Sequence, residues 1–186
     1  MNLIYLTGNE DIDMLIMTQY ISLLDIKSGT NRKKQCVHGG SMLYGVTWRG
    51  YLSTDKKTGE KIYRKKNPNG KGFLTQSKVK YPWFQDLCKE FTHLYCNDFN
   101  WSQIMINEDY PIGLHKDKAN VGLSYLCTFG DYIGGATELH FENDDDTIIR
   151  VPLDTFHNPV SFNGSLIKHR VMPFEGKRYA LVFFNS

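Results

Sequence analysis

The sequence predicts an α+β fold: a double-stranded β-helix, or jelly roll, with supporting helices. Two segments among the first hundred residues carry apolar residues at helical spacing. After Trp101 the pattern changes to about six short apolar segments at close spacing, separated by turn residues. Short strands in close succession are typical of two packed antiparallel sheets, and helices that precede them pack on an outer face.

Length and composition are those of one folded domain, which we expect to span residues 1–186. The content of hydrophobic residues, 41%, argues against disorder. No apolar run approaches the roughly 18 residues that cross a bilayer, and the N-terminal residues lack the basic region of a signal peptide. The 4 cysteines lack C-x-x-C spacing, which favours free thiols. We therefore expect an intracellular protein without membrane contact, in the cytoplasm or nucleus (of a host cell, if the protein is viral), that is not secreted.

The first predicted elements are a short edge strand at residues 1–6 and a helix. Asn9 or Asp11 is suited to cap that helix, which has apolar residues at helical spacing as far as about Asp25. The glycine-containing segment 28–30 ends the helix. We expect it to be scaffold, packed on a sheet.

Residues 27–80 carry 14 Lys or Arg and only two acidic residues, whereas both flanking segments are net acidic. A strand at residues 44–51 and turns at residues 57–60 and 67–70 predict hairpins or a mobile flap. Basic side chains neutralise phosphates and exposed aromatic rings stack on unpaired bases, so this flap is a candidate contact for nucleic acid. The residues predicted to make it are Trp48, Arg49, Tyr51, Arg64, Lys65 and Lys66. The alternatives are a solvated lysine-rich loop and aromatic residues that face the core.

Proline at position 82 predicts the start of a second helix, which runs to about Tyr95 and has an apolar stripe facing the core. The region 101–186 is the predicted jelly-roll core. We expect a turn at residues 130–135. Strands are predicted at residues 102–107, 122–129, 136–142, 147–153, 165–171 and 178–184.

His115 and Asp117 are the starting point for function. Two residues apart on an extended chain, their side chains project from the same face. An imidazole and a carboxylate are two of the three ligands of the 2-His-1-carboxylate triad, which binds Fe(II) and leaves positions open for chemistry. The spacing alone is also typical of a polar turn, so a third ligand is required.

Three later histidines are candidates for that ligand. His140 alternates with apolar residues like a solvent-facing strand residue, and His157 lies in a predicted loop. His169 lies in a strand and is followed by Arg178. A symmetric hairpin between them would make His169 and Arg178 cross-strand partners with Cβ atoms about 5 Å apart. The guanidinium would then grip a carboxylate of a metal-bound ligand in a bidentate fork.

The pattern His115-x-Asp117, His169 and Arg178 resembles the 2-oxoglutarate/Fe(II)-dependent dioxygenases. More narrowly, it looks like the TET/JBP branch, which has AlkB as a cousin and oxidises methyl groups on nucleobases. The segments that carry this closer resemblance are residues 113–120, 130–135 and 169–179.

The resemblance implies an enzyme with Fe(II) as metal, 2-oxoglutarate and O2 as co-substrates, and His115, Asp117, His169 and Arg178 as catalytic residues. Arg178 would hold the distal carboxylate of 2-oxoglutarate. Asn107 and Tyr110 resemble the Asn and Tyr that help to hold it in AlkB-like enzymes. Ala180 stands where many members have a serine, so a second hydroxyl contact is expected from Tyr110 or Tyr125.

Three functions follow as hypotheses. The first is oxidation of the methyl group of 5-methylcytosine or thymine by a monomer, with DNA favoured over RNA and the base flipped out of a duplex. The second is a prolyl or lysyl hydroxylase with the same iron site. The third is a non-catalytic jelly-roll binding module, which is disfavoured because four positions agree with the oxygenase pattern.

Overall fold

A computed structural model describes residues 5–27, 39–47, 51–54, 61–64, 72–145 and 147–186. The helices are α1 (Glu10–Ser22), α2 (Gln76–Lys80) and α3 (Phe84–Tyr95). The strands are β1 (Gly40–Thr47), β2 (Tyr51–Thr54), β3 (Lys61–Arg64), β4 (Phe73–Leu74), β5 (Gln103–Glu108), β6 (Ser124–Gly134), β7 (Thr137–Glu142), β8 (Ile148–Leu153), β9 (Val160–Phe162), β10 (Lys168–Val171) and β11 (Phe174–Phe184). Within these residues, no helix combines the length and apolarity that membrane crossing requires.

Two antiparallel sheets form the body of the protein. The main sheet has the strand order β4-β1-β5-β11-β6-β9, and the minor sheet has the order β10-β7-β8. Strands β2 and β3 pair with each other in a separate hairpin. The predicted fold, a double-sheeted jelly roll with helices outside, is confirmed.

The side chains of β11 alternate between two environments, as strand geometry dictates. Tyr179, Leu181 and Phe183 belong to the large core beneath the helices. The residues between them face the opposite side and line a cavity between the sheets; they are Arg178, Ala180, Val182 and Phe184. The neighbouring strand β5 repeats this pattern, with Ile106 in the core and Asn107 at the cavity. The main sheet therefore separates a packed apolar side from the side that lines the cavity.

Helices α1 and α3 cover the packed side. Asn9 caps α1, because its side-chain oxygen accepts a hydrogen bond from the Ile12 backbone amide (3.2 Å). The apolar stripe of α3 is buried as predicted, with Leu87 and Phe91 almost inaccessible to solvent. The ring of Phe91 lies 5.8 Å from that of Phe129 in β6 and 5.9 Å from that of Phe183 in β11, so α3 is fixed to the centre of the main sheet.

Several predicted boundaries are wrong. Strand β6 continues through the predicted turn at residues 130–135 as far as Gly134, and the chain turns at Gly135. Strand β11 begins four residues earlier than predicted, and β1 covers residues 40–47 rather than 44–51. The short helix α2 and strand β9 had no counterpart in the prediction.

The predicted hairpin that paired His169 with Arg178 is also wrong. His169 pairs with Leu139 in the minor sheet, whereas Arg178 pairs with Gly130 in the main sheet. The chain crosses between the sheets at Met172, whose backbone amide donates to the carbonyl of Ala136 (2.9 Å). The two residues consequently lie on opposite walls of the jelly roll.

The residues predicted to contact nucleic acid lie largely outside the described residues. Trp48, Arg49, Lys65 and Lys66 are among those not described. Tyr51 and Arg64 are described only as paired backbone positions of β2 and β3. The predicted strand at residues 1–6 also falls mostly outside.

The packing of α3 on the main sheet generates a stability prediction. Replacement of Phe91 by Ala should lower the free energy of unfolding by about 3–5 kcal/mol, because it empties a fully buried site. Leu94→Ala in the same helix should change it by less than about 0.5 kcal/mol, since Leu94 is 41% exposed. Urea denaturation of both variants measures the difference, and equal losses would contradict the described packing.

Candidate metal centre and co-substrate pocket

A cavity of about 100 Å³ lies between the two sheets and joins two groups of polar side chains. His115, Asp117 and His169 line it at one side, and Arg178 lines it from β11. Between these groups the lining includes apolar residues such as Leu126 and Val182. The cavity therefore combines a possible metal centre with a buried cation, separated by an apolar wall.

His115, Asp117 and His169 are brought together, as the sequence predicted. The Nε2 atom of His115 lies 3.3 Å from Oδ1 of Asp117, and Nε2 of His169 lies 3.6 Å from Oδ2 of the same carboxylate. The three potential ligand atoms all lie within 4.8 Å of one another. His169 is buried, whereas the side chains of His115 and Asp117 are 32% and 30% exposed, so the group opens to solvent on one side.

Backbone hydrogen bonds fix this arrangement. The amide of His115 donates to the carbonyl of His169 (3.0 Å) and the amide of His169 donates back (2.9 Å), forming an isolated antiparallel bridge. The amide of Asp117 donates to the carbonyl of Gly164 (2.9 Å). The H-x-D segment is thereby attached to the edge of the minor sheet, and the two imidazole centroids lie 4.3 Å apart.

Both imidazoles are held in the tautomer that a metal requires. Nδ1 of His115 lies 2.8 Å from the carbonyl oxygen of Gly113, and Nδ1 of His169 lies 3.0 Å from that of Ile167. A carbonyl oxygen can only accept, so each Nδ1 carries the proton and donates it. In the neutral form of each ring the unprotonated nitrogen is then Nε2, which faces Asp117. Such a hydrogen bond from the second ring nitrogen is the usual support of a metal-binding histidine.

The two imidazoles differ in electrostatic environment. Burial lowers the pKa of His169, and the charge of His115 acts in the same direction, so the ring favours its neutral form. Burial also acts to lower the pKa of His115, but the hydrogen bond to Asp117 outweighs it and the pKa is raised. A metal ion that binds here therefore competes with a proton more strongly at His115 than at His169.

Gly164 provides the space for the carboxylate. A Cβ atom at this position would lie 3.0 Å from Oδ2 of Asp117 and 3.4 Å from Cε1 of His169. On the other side, the Nδ2 group of Asn120 lies 3.4 Å from the same oxygen and donates to the hydroxyl of the buried Ser124 (3.2 Å). The carboxylate of Asp117 is thus confined between the backbone at Gly164 and the side chain of Asn120.

Arg178 is buried with unused hydrogen-bonding capacity. Arg178 is only 2% exposed to solvent, and its Nε and Nη2 atoms have no hydrogen-bond partner. These two atoms form one edge of the guanidinium, which matches the two oxygens of a carboxylate. The hydroxyl of Thr137 and Oδ1 of Asn107 are buried at the same cavity and also lack partners. Buried polar groups rarely remain unpaired, so these atoms define a polar ligand subsite.

The guanidinium of Arg178 lies against two aromatic rings. Its carbon lies 5.5 Å from the ring centroids of both Tyr132 and Phe174. Burial lowers the pKa of Arg178, while the neighbouring Tyr132 acts in the opposite direction. The hydroxyl of Tyr132 is itself fixed by Thr128 (2.6 Å). Gly135 leaves room for the arginine, since a Cβ atom there would lie 2.9 Å from Nε.

Of the other three residues predicted to bind the co-substrate, two line the cavity and one does not. Asn107 and Tyr110 line the cavity. Tyr125 does not: its ring packs on Phe99 (5.0 Å), on the helix side of the main sheet, and its hydroxyl accepts from Asn97 (3.2 Å). The prediction missed Thr137, whose position opposite Arg178 depends on the pairing within the minor sheet. The only sequence signal for Thr137 is the strand alternation that places it on the same face as Leu139, two residues later.

The rejected histidines occupy other environments. Nε2 of His140 lies 2.6 Å from Glu138, which also binds Arg170. Both His140 and Glu138 are buried, so the solvent-facing position predicted for His140 is wrong. His157 stacks on Phe156, with ring centroids 4.0 Å apart. Neither imidazole belongs to the group formed by His115, Asp117 and His169.

The space at Gly164 generates a prediction for metal affinity. Gly164→Ala should weaken binding of a divalent transition metal by about 10- to 100-fold, the usual loss when support around a ligand is disturbed. Gly113→Ala is the matched control, because a Cβ atom at Gly113 meets nothing within 4 Å. Calorimetric titration with Co(II) measures both variants, and equal affinities would show that the described fit around Asp117 is incorrect.

Comparisons with known proteins bear on the fold. No protein-family model and no curated protein matches the sequence. A crystal structure of an oxidoreductase of the 2OG-Fe(II) oxygenase family from Burkholderia pseudomallei matches with a TM-score of 0.54 and 16% identity, covering 92% of this chain and 76% of that chain. NgTET1 in complex with 5mC DNA gives a TM-score of 0.49 and 16% identity, covering 92% and 67%. A prolyl-4-hydroxylase from Pseudomonas putida gives a TM-score of 0.44 and 10% identity, covering 97% and 88%. The chain shares the fold of the Burkholderia 2OG-Fe(II) oxygenase family member.

Proposed function

We propose that the protein is an Fe(II)- and 2-oxoglutarate-dependent dioxygenase. One observation carries the proposal: two imidazoles, whose Nε2 atoms face a shared carboxylate, lie in one cavity with a buried guanidinium whose carboxylate-binding edge is unpaired. A metal site alone would not require the guanidinium, and an anion site alone would not require the triad. A dicarboxylate that contacts the metal at one end and the guanidinium at the other uses both.

The residues present fit both groups. His115, Asp117 and His169 supply the nitrogen and oxygen donors of a facial triad for Fe(II). Arg178 supplies two parallel N–H donors and Thr137 a hydroxyl for the distal carboxylate of 2-oxoglutarate. In such a site Fe(II) supplies the activation of O2 that oxidises the co-substrate and an inert C–H bond.

The protein contributes binding, orientation and exclusion of water. Arg178 and Thr137 fix the distal end of the co-substrate at the buried side of the cavity. Leu126 and Val182 provide apolar walls along its length. The triad is partly exposed on its other side, at His115 and Asp117, so the substrate approaches from there. The apolar side chains that line the rest of the cavity reduce the access of water to the reacting group, which limits side reactions.

For the substrate we propose a methylated pyrimidine of a nucleic acid, with DNA favoured. Support comes from the basic segment of the sequence, in which residues 27–80 carry 14 Lys or Arg against two acidic residues. A polyanion is the partner that such an asymmetry favours. One chain supplies the whole triad and Arg178, so a monomer suffices.

The role of Arg178 can be tested separately from that of the metal. Arg178→Met should raise the 2-oxoglutarate concentration for half-maximal succinate formation by about 100-fold, as expected when one partner of a desolvated charge pair is removed. Co(II) affinity should persist. Arg170→Met is the control, since Arg170 pairs with Glu138 away from the cavity and should leave the requirement unchanged. An unaffected requirement in the Arg178 variant would reject the anchor.

The substrate proposal needs a direct product measurement. Protein loaded with Fe(II) and supplied with 2-oxoglutarate should convert 5-methylcytosine or thymine in DNA to a hydroxymethyl base, detected by mass spectrometry of released nucleosides. Asp117→Ala should form no product, since it removes the carboxylate ligand. Turnover of prolyl or lysyl peptides with no change in DNA or RNA would contradict the nucleic-acid proposal and leave the oxygenase proposal standing.

A further inference from the structure

A second concave surface, which we call the α3 groove, lies outside the cavity. It has a volume of about 570 Å³ and is bordered by α2, α3 and residues 98–102. Gln85, Lys89 and His93 of α3 line one side; spaced four residues apart, they project from one face of the helix. Lys78 of α2 faces the same space.

The α3 groove has an unbalanced positive charge. Among the described residues, the ammonium groups of Lys78 and Lys89 have no ion-pair partner, whereas Lys80 pairs with Asp25 (3.1 Å). The two are close enough to repel: burial and the charge of Lys89 both lower the pKa of Lys78. The acidic residue of the groove, Asp98, is already bound to His93. An anion between the lysines would relieve their repulsion.

The groove is connected to the rim of the cavity. The side-chain amide of Asn185 donates to the carbonyl of Asn100 in the groove (2.9 Å). The backbone carbonyl of Asn185 accepts from the amide of Val121 (2.8 Å), four residues after the candidate metal ligand Asp117. Phe184, the preceding residue, lines the cavity. Phe184 and Asn185 therefore link the end of the cavity, on one side of the main sheet, to the wall of the groove on its helix side.

Two strands beside the same groove, β1 and β4, flank a basic part of the sequence. Val46, which lines the groove, pairs with Leu74, and Thr47 pairs with Phe73. Residues 48–72 connect these two strands and carry eight Lys or Arg against two acidic residues. Lys78 and Lys89 thus lie near the two strands that flank this basic part of the sequence.

We infer that the α3 groove binds the phosphate backbone of the nucleic acid strand whose base enters the cavity, an inference that rests on the proposed function. Lys78 and Lys89 contact consecutive or neighbouring phosphates, and Gln85 and Asn100 offer polar side chains beside them. These contacts carry no base information, so they fix the position of the strand and leave recognition of the base to the cavity.

The test compares salt dependence of binding. The probe is a labelled single-stranded DNA of about 12 nucleotides with one 5-methylcytosine, within the size range of a single-strand site. Lys78→Gln with Lys89→Gln should reduce the slope of log affinity against log salt by about 1.4, since each lost phosphate contact contributes about 0.7. At low salt the affinity should fall about tenfold.

The control removes two charges elsewhere. Arg150 and Lys168 are the cross-strand neighbours of His140 in the minor sheet and do not line the α3 groove, so their replacement by Gln should leave the slope unchanged. Equal slopes for both double variants, or stronger binding of polyglutamate than of DNA, would overturn the inference. Succinate formation without DNA separates this failure from failure of the proposed function, because the groove variants should retain it in full. Unchanged melting temperatures confirm that both variants are folded.

Discussion

The period-two alternation of β11 is the constraint on which the rest of the structure depends. As the strand between β5 and β6, β11 has no edge and cannot shift independently. Tyr179 and Leu181 face the helix-covered core, and Arg178 faces the cavity. A slip of one residue would place the guanidinium against the apolar side of α3 and empty the cavity wall. The same pairing register therefore stabilises the fold and sets the position of the anion subsite.

The second wall of the site depends on a smaller set of interactions. The bridge between His115 and His169 attaches the H-x-D segment to the minor sheet, and the crossover at Met172 carries the chain back to the main sheet. Together they place His169 and Arg178 on facing walls. An elongated dicarboxylate needs contacts at both ends, and facing walls supply them without either wall moving. Side chains held on strands in this way are already in position before a ligand binds.

The fold and the pair His115 and Asp117 could be predicted because they depend on local patterns. The periodicity of α3, the alternation of β11 and the spacing of His115 and Asp117 each specify orientation within one segment. The turn predicted at residues 130–135 is confined to its last residues, because Gly130 serves a different purpose. A Cβ atom at Gly130 would lie 2.1 Å from the carbonyl oxygen of Lys177, so glycine is required by the close approach of two strands and not by a turn. Thr137 was missed because its place beside the cavity depends on a pairing between distant segments.

The polar atoms left unpaired in the cavity connect stability to recognition. Burial of Arg178 without a partner for Nε and Nη2 disfavours folding, since a desolvated charge loses its hydration and gains nothing in return. The rings of Tyr132 and Phe174 offset part of that loss through cation–π contact. A carboxylate that reaches the guanidinium restores the missing hydrogen bonds without a new desolvation of the protein. A neutral ligand of the same shape would leave the charge unpaired, so the unpaired edge of the guanidinium selects for an anionic end group.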